Sequence, residues 1–299
     1  MYSCGFSPPS AGKSLKSEYP QESMEGMIEM LPVNVQKEML LNHTRYLRFF
    51  RLRRERVKPG QNHLAQRMAE SLPAVYKQTL DLAFYQSLMM LLDPEKDVVS
   101  GLINREELEE KFHRLDRAVD LDPGFQALGH MEREAAKLNG SELSAAALEG
   151  LGLGSVGIGS PETVILTLLM LRTLYETALL YGFNIDHPWE KDLALMLLSA
   201  AFSSGEDAYR EQQALTRVLK GLADGVTPEI DREKRIRAAA SHMAGSMSLQ
   251  KFVQGIPVIG AAGLFFNSAA MNRLQTLSRC VYKQRYLQMK DRAIKAGHI

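Results

Sequence analysis

Residues Ser160 to Gly182 read "SPETVILTLLMLRTLYETALLYG", and this stretch decides the fold. Ser160 is a hydroxyl residue placed to cap a helix. Pro161 follows in the first turn, where its missing N–H is not needed, and Glu162 faces the positive end of the helix dipole. Gly182 supplies the stop. About 21 residues at a rise of 1.5 Å give a helix of roughly 31 Å. After Glu162 the charges in the run are Arg172 and Glu176, four apart and so placed to pair across one turn. The remaining side chains are apolar on nearly every side, which predicts a central, buried helix.

Outward from this helix the pattern stays helical. Asp186 or His187 can cap a second apolar helix, with Pro188 in its first turn and "WEKDLALMLLSAAF" running to a stop near Gly205. A short connection of this kind predicts an antiparallel hairpin with the first helix. Thr227 and Pro228 are expected to open a further, charged helix, "PEIDREKRIRAAASHMAG". Toward the N-terminus, from Met24 on, apolar residues recur at three and four, with breaks at Pro32, Lys58–Gly60, Asp93–Pro94 and Asp122–Gly124. The chain of 299 residues is 45% apolar, enough for a core, while aromatics are 7% and segments rich in Val, Ile and Thr are missing. The expectation is an all-α fold: one multi-helix domain around a buried central hairpin, with no substantial β-sheet. Residues 1–22, rich in Ser, Pro and Gly, read as a flexible tail; 23–60 form a basic amphipathic helical segment, and 61–299 the main helical domain.

The net charge of +1 hides a segregation. Arg45 to Lys58 carries seven basic residues against Glu55, and Arg273 to Lys295 carries seven against Asp291. The rest of the chain is therefore acidic, and an anionic surface becomes a candidate partner. "RYLRFFRLRRERVK" mixes arginines with aromatic and aliphatic groups, the composition of a helix lying on an anionic membrane. Its candidate surface residues are Arg45, Arg48, Phe49, Phe50, Arg51, Arg53 and Arg54. The alternative reading is a solvated face whose aromatics pack on the core. No nucleic-acid-binding module accompanies the patch, so no nucleic-acid partner is expected.

Two features invite a site and do not support one. Gly152, Gly154 and Gly157 spell G-x-G-x-x-G within "GLGLGSVGIGSPE". A dinucleotide loop, however, needs a preceding strand and a helix starting inside it, and here the flanks are helix formers and the next helix begins only at Pro161. The run reads as a helix-to-helix connection, and no cofactor is expected. Seven histidines form no pair at ligand spacing, and Cys4 and Cys280 stand alone, so no metal site and no structural disulfide are expected. A reducing cytoplasm fits this cysteine usage, and the N-terminus lacks the apolar run of a signal peptide. No nucleophile signature marks an enzyme. The uncharged stretch Phe252 to Asn272 leaves three readings open: a core helix, an interfacial or re-entrant segment, or a span weakened by Gly255, Pro257, Gly260 and Gly263.

From about Gln61 to Met289 the chain resembles the EcsC family, named for a bacterial protein encoded beside an ABC transporter. The resemblance rests on an ordered set: Leu72-Pro73, the glycines of 150–159, "YGFN" (Tyr181 to Asn184), "PWEKDLALMLL", "IPVIGAAGLFFN" (Ile256 to Asn267) and "YKQRYL" (Tyr282 to Leu287). Departures occur at Ser160-Pro161-Glu162, where the family usually has Asp-Leu-Pro, at Asn184, where it has Asp, and at Lys191, where it has Arg. The resemblance implies a helical, intracellular bacterial protein acting at or near the membrane, with transport or secretion machinery as a partner, and implies no reaction. Two functional expectations follow. The first is a cytoplasmic accessory protein touching the inner membrane face through its basic segments. The second is an enzyme or small-ligand binder with a pocket near Tyr181, Asn184, Glu190 and Asn267, to which Gly182, Asp186, Gly260 and Gly263 belong as motif residues. Nothing in the pattern sets an oligomeric state.

Overall fold

The structure, a computed structural model, describes residues 33–55, 74–93, 96, 98–121, 125–138, 161–227, 229–253 and 267–295. These form nine α-helices and one 3-10 turn (Ser100–Leu102), with no strand among the described residues. In chain order the helices are α1 (Val33–Glu55), α2 (Ala74–Leu91), α3 (Arg105–Leu121), α4 (Phe125–Lys137), α5 (Pro161–Leu180), α6 (Pro188–Phe202), α7 (Gly205–Ala223), α8 (Arg232–Val253) and α9 (Asn267–Lys295). The glycine run, Gly260 and Gly263 lie outside the described residues, as does the side chain of Asn267.

The stretch that predicted a central helix forms one. α5 is long and apolar enough to cross a membrane, with mean hydropathy 1.5 over Thr163–Leu180, yet 83% of that window is buried inside the bundle. It packs against α9, α2 and α3. Four threonines on it are buried, and three hydroxyls (Thr167, Thr173, Thr177) donate to the carbonyl four residues back at 2.7–2.8 Å. Each polar group is thus satisfied within its own helix and adds no unpaired donor to the core. Arg172 and Glu176 pair at 2.7 Å, as their spacing predicts.

α5 and α6 are joined through Tyr181–His187 and both are buried, but they touch each other over a short length only. α9 packs against both of them. α6 lies chiefly against α8, where the small buried residues Ala194, Ala200 and Ala201 on one helix and Ala239, Ala240 and Ala244 on the other permit a close backbone approach. α8 also covers α2. It starts at Arg232, later than the expected Pro228, because Asp231 is the effective cap: its Oδ1 accepts the N–H of Lys234 at 3.0 Å.

The C-terminal basic segment departs from the expectation of a surface helix. α9 is buried on most sides, including Lys283, Arg285 and Lys290. Their charges are met from four other helices. Lys283 Nζ donates to Glu38 (2.6 Å) on α1 and Glu132 (2.7 Å) on α4. Arg285 pairs with Glu190 on α6, and Lys290 pairs with Asp116 and Asp120 on α3. The acidic remainder of the chain is, in part, the counter-charge of this helix.

Candidate functional site

The link from α5 to α6 is built by a glycine turn. Tyr181 caps α5, and Gly182 takes φ +80°, the left-handed conformation that a residue without Cβ adopts cheaply. The N–H of Gly182 bonds Leu179 O and that of Phe183 bonds Ala178 O, both at 2.9 Å, which is the Schellman pattern. Beyond it, Asn184 Oδ1 accepts the N–H of Asp186 at 2.9 Å, closing a local turn. Asp186 is pinned by both guanidinium arms of Arg105 (2.6 and 2.7 Å), and this contact lowers its carboxyl pKa. Both groups are spent on the turn, with Asn184 exposed to solvent. His187 holds the N-cap position of α6 without a side-chain bond, Pro188 follows, and the first turn carries Glu190.

Glu190 is 1% exposed. Arg285 Nη1 donates to its two oxygens at 2.5 and 2.9 Å. Burial raises the Glu190 pKa, and Arg285 opposes that rise. The guanidinium is itself enclosed by rings, with Phe183 at 3.8 Å, Trp189 at 5.1 Å and Tyr282 at 5.5 Å from its centre. Tyr181 packs beside Tyr286, whose hydroxyl donates to Asp116 at 2.8 Å. The Tyr181 and Tyr282 hydroxyls are buried without a hydrogen-bond partner among the described residues, and burial drives both pKa values upward.

Of the pocket residues expected from sequence, Tyr181 and Glu190 meet α9 and Gly182 lies against Phe112 of α3, whereas Asn184 and Asp186 face outward. The center of the arrangement, Arg285, was not among the expected site residues. Its signal was present in "YKQRYL": a basic pair inside a helix rich in apolar residues, where a charge has to find a partner.

Beside Arg285 opens a cleft of about 250 Å³, lined by Phe183, Trp189, Leu222, Val226, Met289 and Arg292 among others. A second hollow of about 270 Å³ lies between α1, α4 and α9, among Asn42, Arg45, Glu132, Arg279, Cys280 and Lys283. Burial pushes the Cys280 thiol up to about 11, so it is an unreactive thiol at neutral pH. Among the described residues no group of three His, Cys, Asp or Glu is placed to hold a metal ion.

On α1 the structure sorts the expected surface residues by side. Phe50 is buried and Arg53 nearly so, which corrects their placement. Phe50 packs edge-on against Tyr46 and Phe49, and Arg53 donates to the carbonyls of Ala201 and Ser203, closing the C-terminal end of α6. Phe49 is half-buried beneath the Arg53 guanidinium. Arg45, Arg48, Arg51 and Arg54 are exposed, with Arg45 paired to Glu132 and Arg54 stacked 4.3 Å over the Tyr209 ring. The apolar groups left outside are leucines: Leu40 (44% exposed), Leu41 (49%) and Leu52 (48%).

Comparison with known proteins gives a match to the EcsC protein family over residues 48–287. No curated protein and no solved structure matches the chain.

Proposed function

This chain belongs to the EcsC protein family, and from that premise we propose that it is an accessory protein docking reversibly on the anionic inner face of a membrane, beside a transport or secretion component. The observation that carries the proposal is the outer face of α1. Lys37, Arg45, Arg48, Arg51 and Arg54 share it with Leu40, Leu41 and Leu52, at spacings that keep them on one side of the helix. Among its described side chains the one carboxylate of α1, Glu38, is turned inward to Lys283.

The magnitudes favour weak, reversible attachment. A basic side chain near an anionic bilayer contributes about 1 kcal/mol, so Lys37, Arg48 and Arg51 supply about 3 kcal/mol. Three half-exposed leucines add about 1 kcal/mol each, half the value for full burial. A total of about 6 kcal/mol corresponds to a dissociation constant of some tens of micromolar. Neither share suffices alone.

Co-sedimentation with phosphatidylglycerol vesicles tests the proposal. Binding is expected at low salt, falling as salt rises, and absent with phosphatidylcholine alone. Arg48→Glu with Arg51→Glu, and separately Leu40→Ser with Leu41→Ser, are each expected to release the protein while its melting temperature holds. No binding at low salt, or binding indifferent to these substitutions, would overturn it.

A further inference from the structure

We propose that the cleft beside Arg285 is a binding site for a short-chain organic anion, a carboxylate or phosphate carried on an apolar body. It is independent of the membrane face, since it lies at the junction of α5, α6, α7 and α9 and α1 contributes no lining residue.

Two helix ends shape it in the same way. α7 closes as α5 does: Gly225 takes φ +77°, its N–H bonds Leu222 O at 3.2 Å, and the N–H of Val226 bonds Gly221 O at 2.8 Å. In such a turn the residue after the glycine folds back as an apolar lid on its helix. Here those two residues are Phe183 and Val226, and both line the cleft. Trp189, Leu222 and Met289 complete an apolar wall in which Val226 is 60% and Met289 40% exposed, large apolar groups left uncovered by the described fold.

The charge of the lining has one sign. Arg285 and Arg292 line the cleft and no carboxylate does, among the described residues. Arg285 is held from behind by Glu190, and its aromatic enclosure fixes it in place. Arg292, exposed at the rim, gives one N–H to Ala223 O at the end of α7 and has no carboxylate partner among the described residues, which leaves it donors to offer an entering anion. An apolar wall with an uncompensated guanidinium at its rim selects an amphipathic anion over an alcohol or a cation of the same length. Size restricts the class further: about 250 Å³ is below the ~300–1,000 Å³ usual for drug-sized ligands, so a short chain fits and a whole lipid does not.

The chain has a single tryptophan, and it lines this cleft, so its fluorescence reports the site directly. The full chain would be titrated with octanoate, octan-1-ol, octyltrimethylammonium and acetate. A saturable change in Trp189 emission is expected with octanoate, at least about tenfold tighter than with octanol, and none with the cation or acetate. Arg292→Gln should weaken octanoate about tenfold and leave octanol unchanged, while Val226→Ser should weaken both. Equal response to all three octyl probes, no saturable response to octanoate, or an Arg292→Gln variant with unaltered octanoate affinity would overturn the proposal.

Discussion

Replacing Gly182 by alanine tests the turn on which the link from α5 to α6 depends. Two separate costs act at that position. The first is conformational: φ of +80° costs a residue with Cβ about 1–2 kcal/mol, of which a fraction returns through the less flexible unfolded chain. The second is steric. A methyl there would lie 2.7 and 2.8 Å from Cε2 and Cε1 of Phe112, well inside van der Waals contact. Phe112 is half-buried, and its ring stands edge-on to Tyr286 at 6.4 Å, with Tyr286 bonded to Asp116, so moving the ring aside gives up that contact. Forcing a methyl into such a contact costs about 1–3 kcal/mol. Together the two terms give about 3 kcal/mol. They separate in a double-mutant cycle read by urea unfolding at constant m-value. In a Phe112→Ala background the steric term disappears, and Gly182→Ala should then cost about 1 kcal/mol, leaving a coupling of about 2 kcal/mol. A cost below about 0.5 kcal/mol in the parent chain, or the same cost in both backgrounds, would refute the reasoning.

Two further predictions concern the charges around this turn. Glu190→Leu leaves Arg285 buried with neither a hydrogen-bond acceptor nor a counter-charge and should cost about 3 kcal/mol in unfolding free energy; adding Arg285→Met should recover part of that loss, and a double variant as unstable as the sum of the singles would show that the pair is not coupled. Asp186 and Glu190 should respond to pH with opposite signs. The lowered Asp186 pKa contributes stability above the ordinary aspartate value of 3.8 that is lost as pH falls through the folded value, so Asp186→Asn should flatten the acid limb of a melting-temperature profile. The raised Glu190 pKa contributes stability below the ordinary 4.5 that is lost as pH rises through its folded value, so Glu190→Gln should remove a decline on that side. Melting profiles of both variants from acid to neutral pH check the two signs together.

Much of the architecture was legible along the chain because its causes are local. α5 begins at Pro161, the position read for its first turn, a glycine closes it, and Arg172 and Glu176 pair across one turn. The breaks read at Pro32, Asp93–Pro94 and Asp122–Gly124 fall where α1 begins and where α2 and α3 end. The start of α8 was misplaced by four residues because two caps compete, and the proline motif outweighed Asp231 in a sequence reading. The side chain that bonds Lys234 settled it.

Sequence alone determined that this chain is helical, which helix is central, and that its charge is divided between basic segments and an acidic remainder, since periodicity, caps and residue counts are properties of neighbours along the chain. Tertiary structure decided what those charges do. "RYLRFFRLRRERVK" and the C-terminal segment carry the same charge excess, yet one helix keeps most of its arginines outside and the other buries Lys283, Arg285 and Lys290 against Glu38, Glu132, Glu190, Asp116 and Asp120. The partners lie 95 to 245 residues away, beyond any local pattern. Burying a cation requires a carboxylate at bonding distance, and only the packing of α9 among α1, α3, α4 and α6 brings those carboxylates to it.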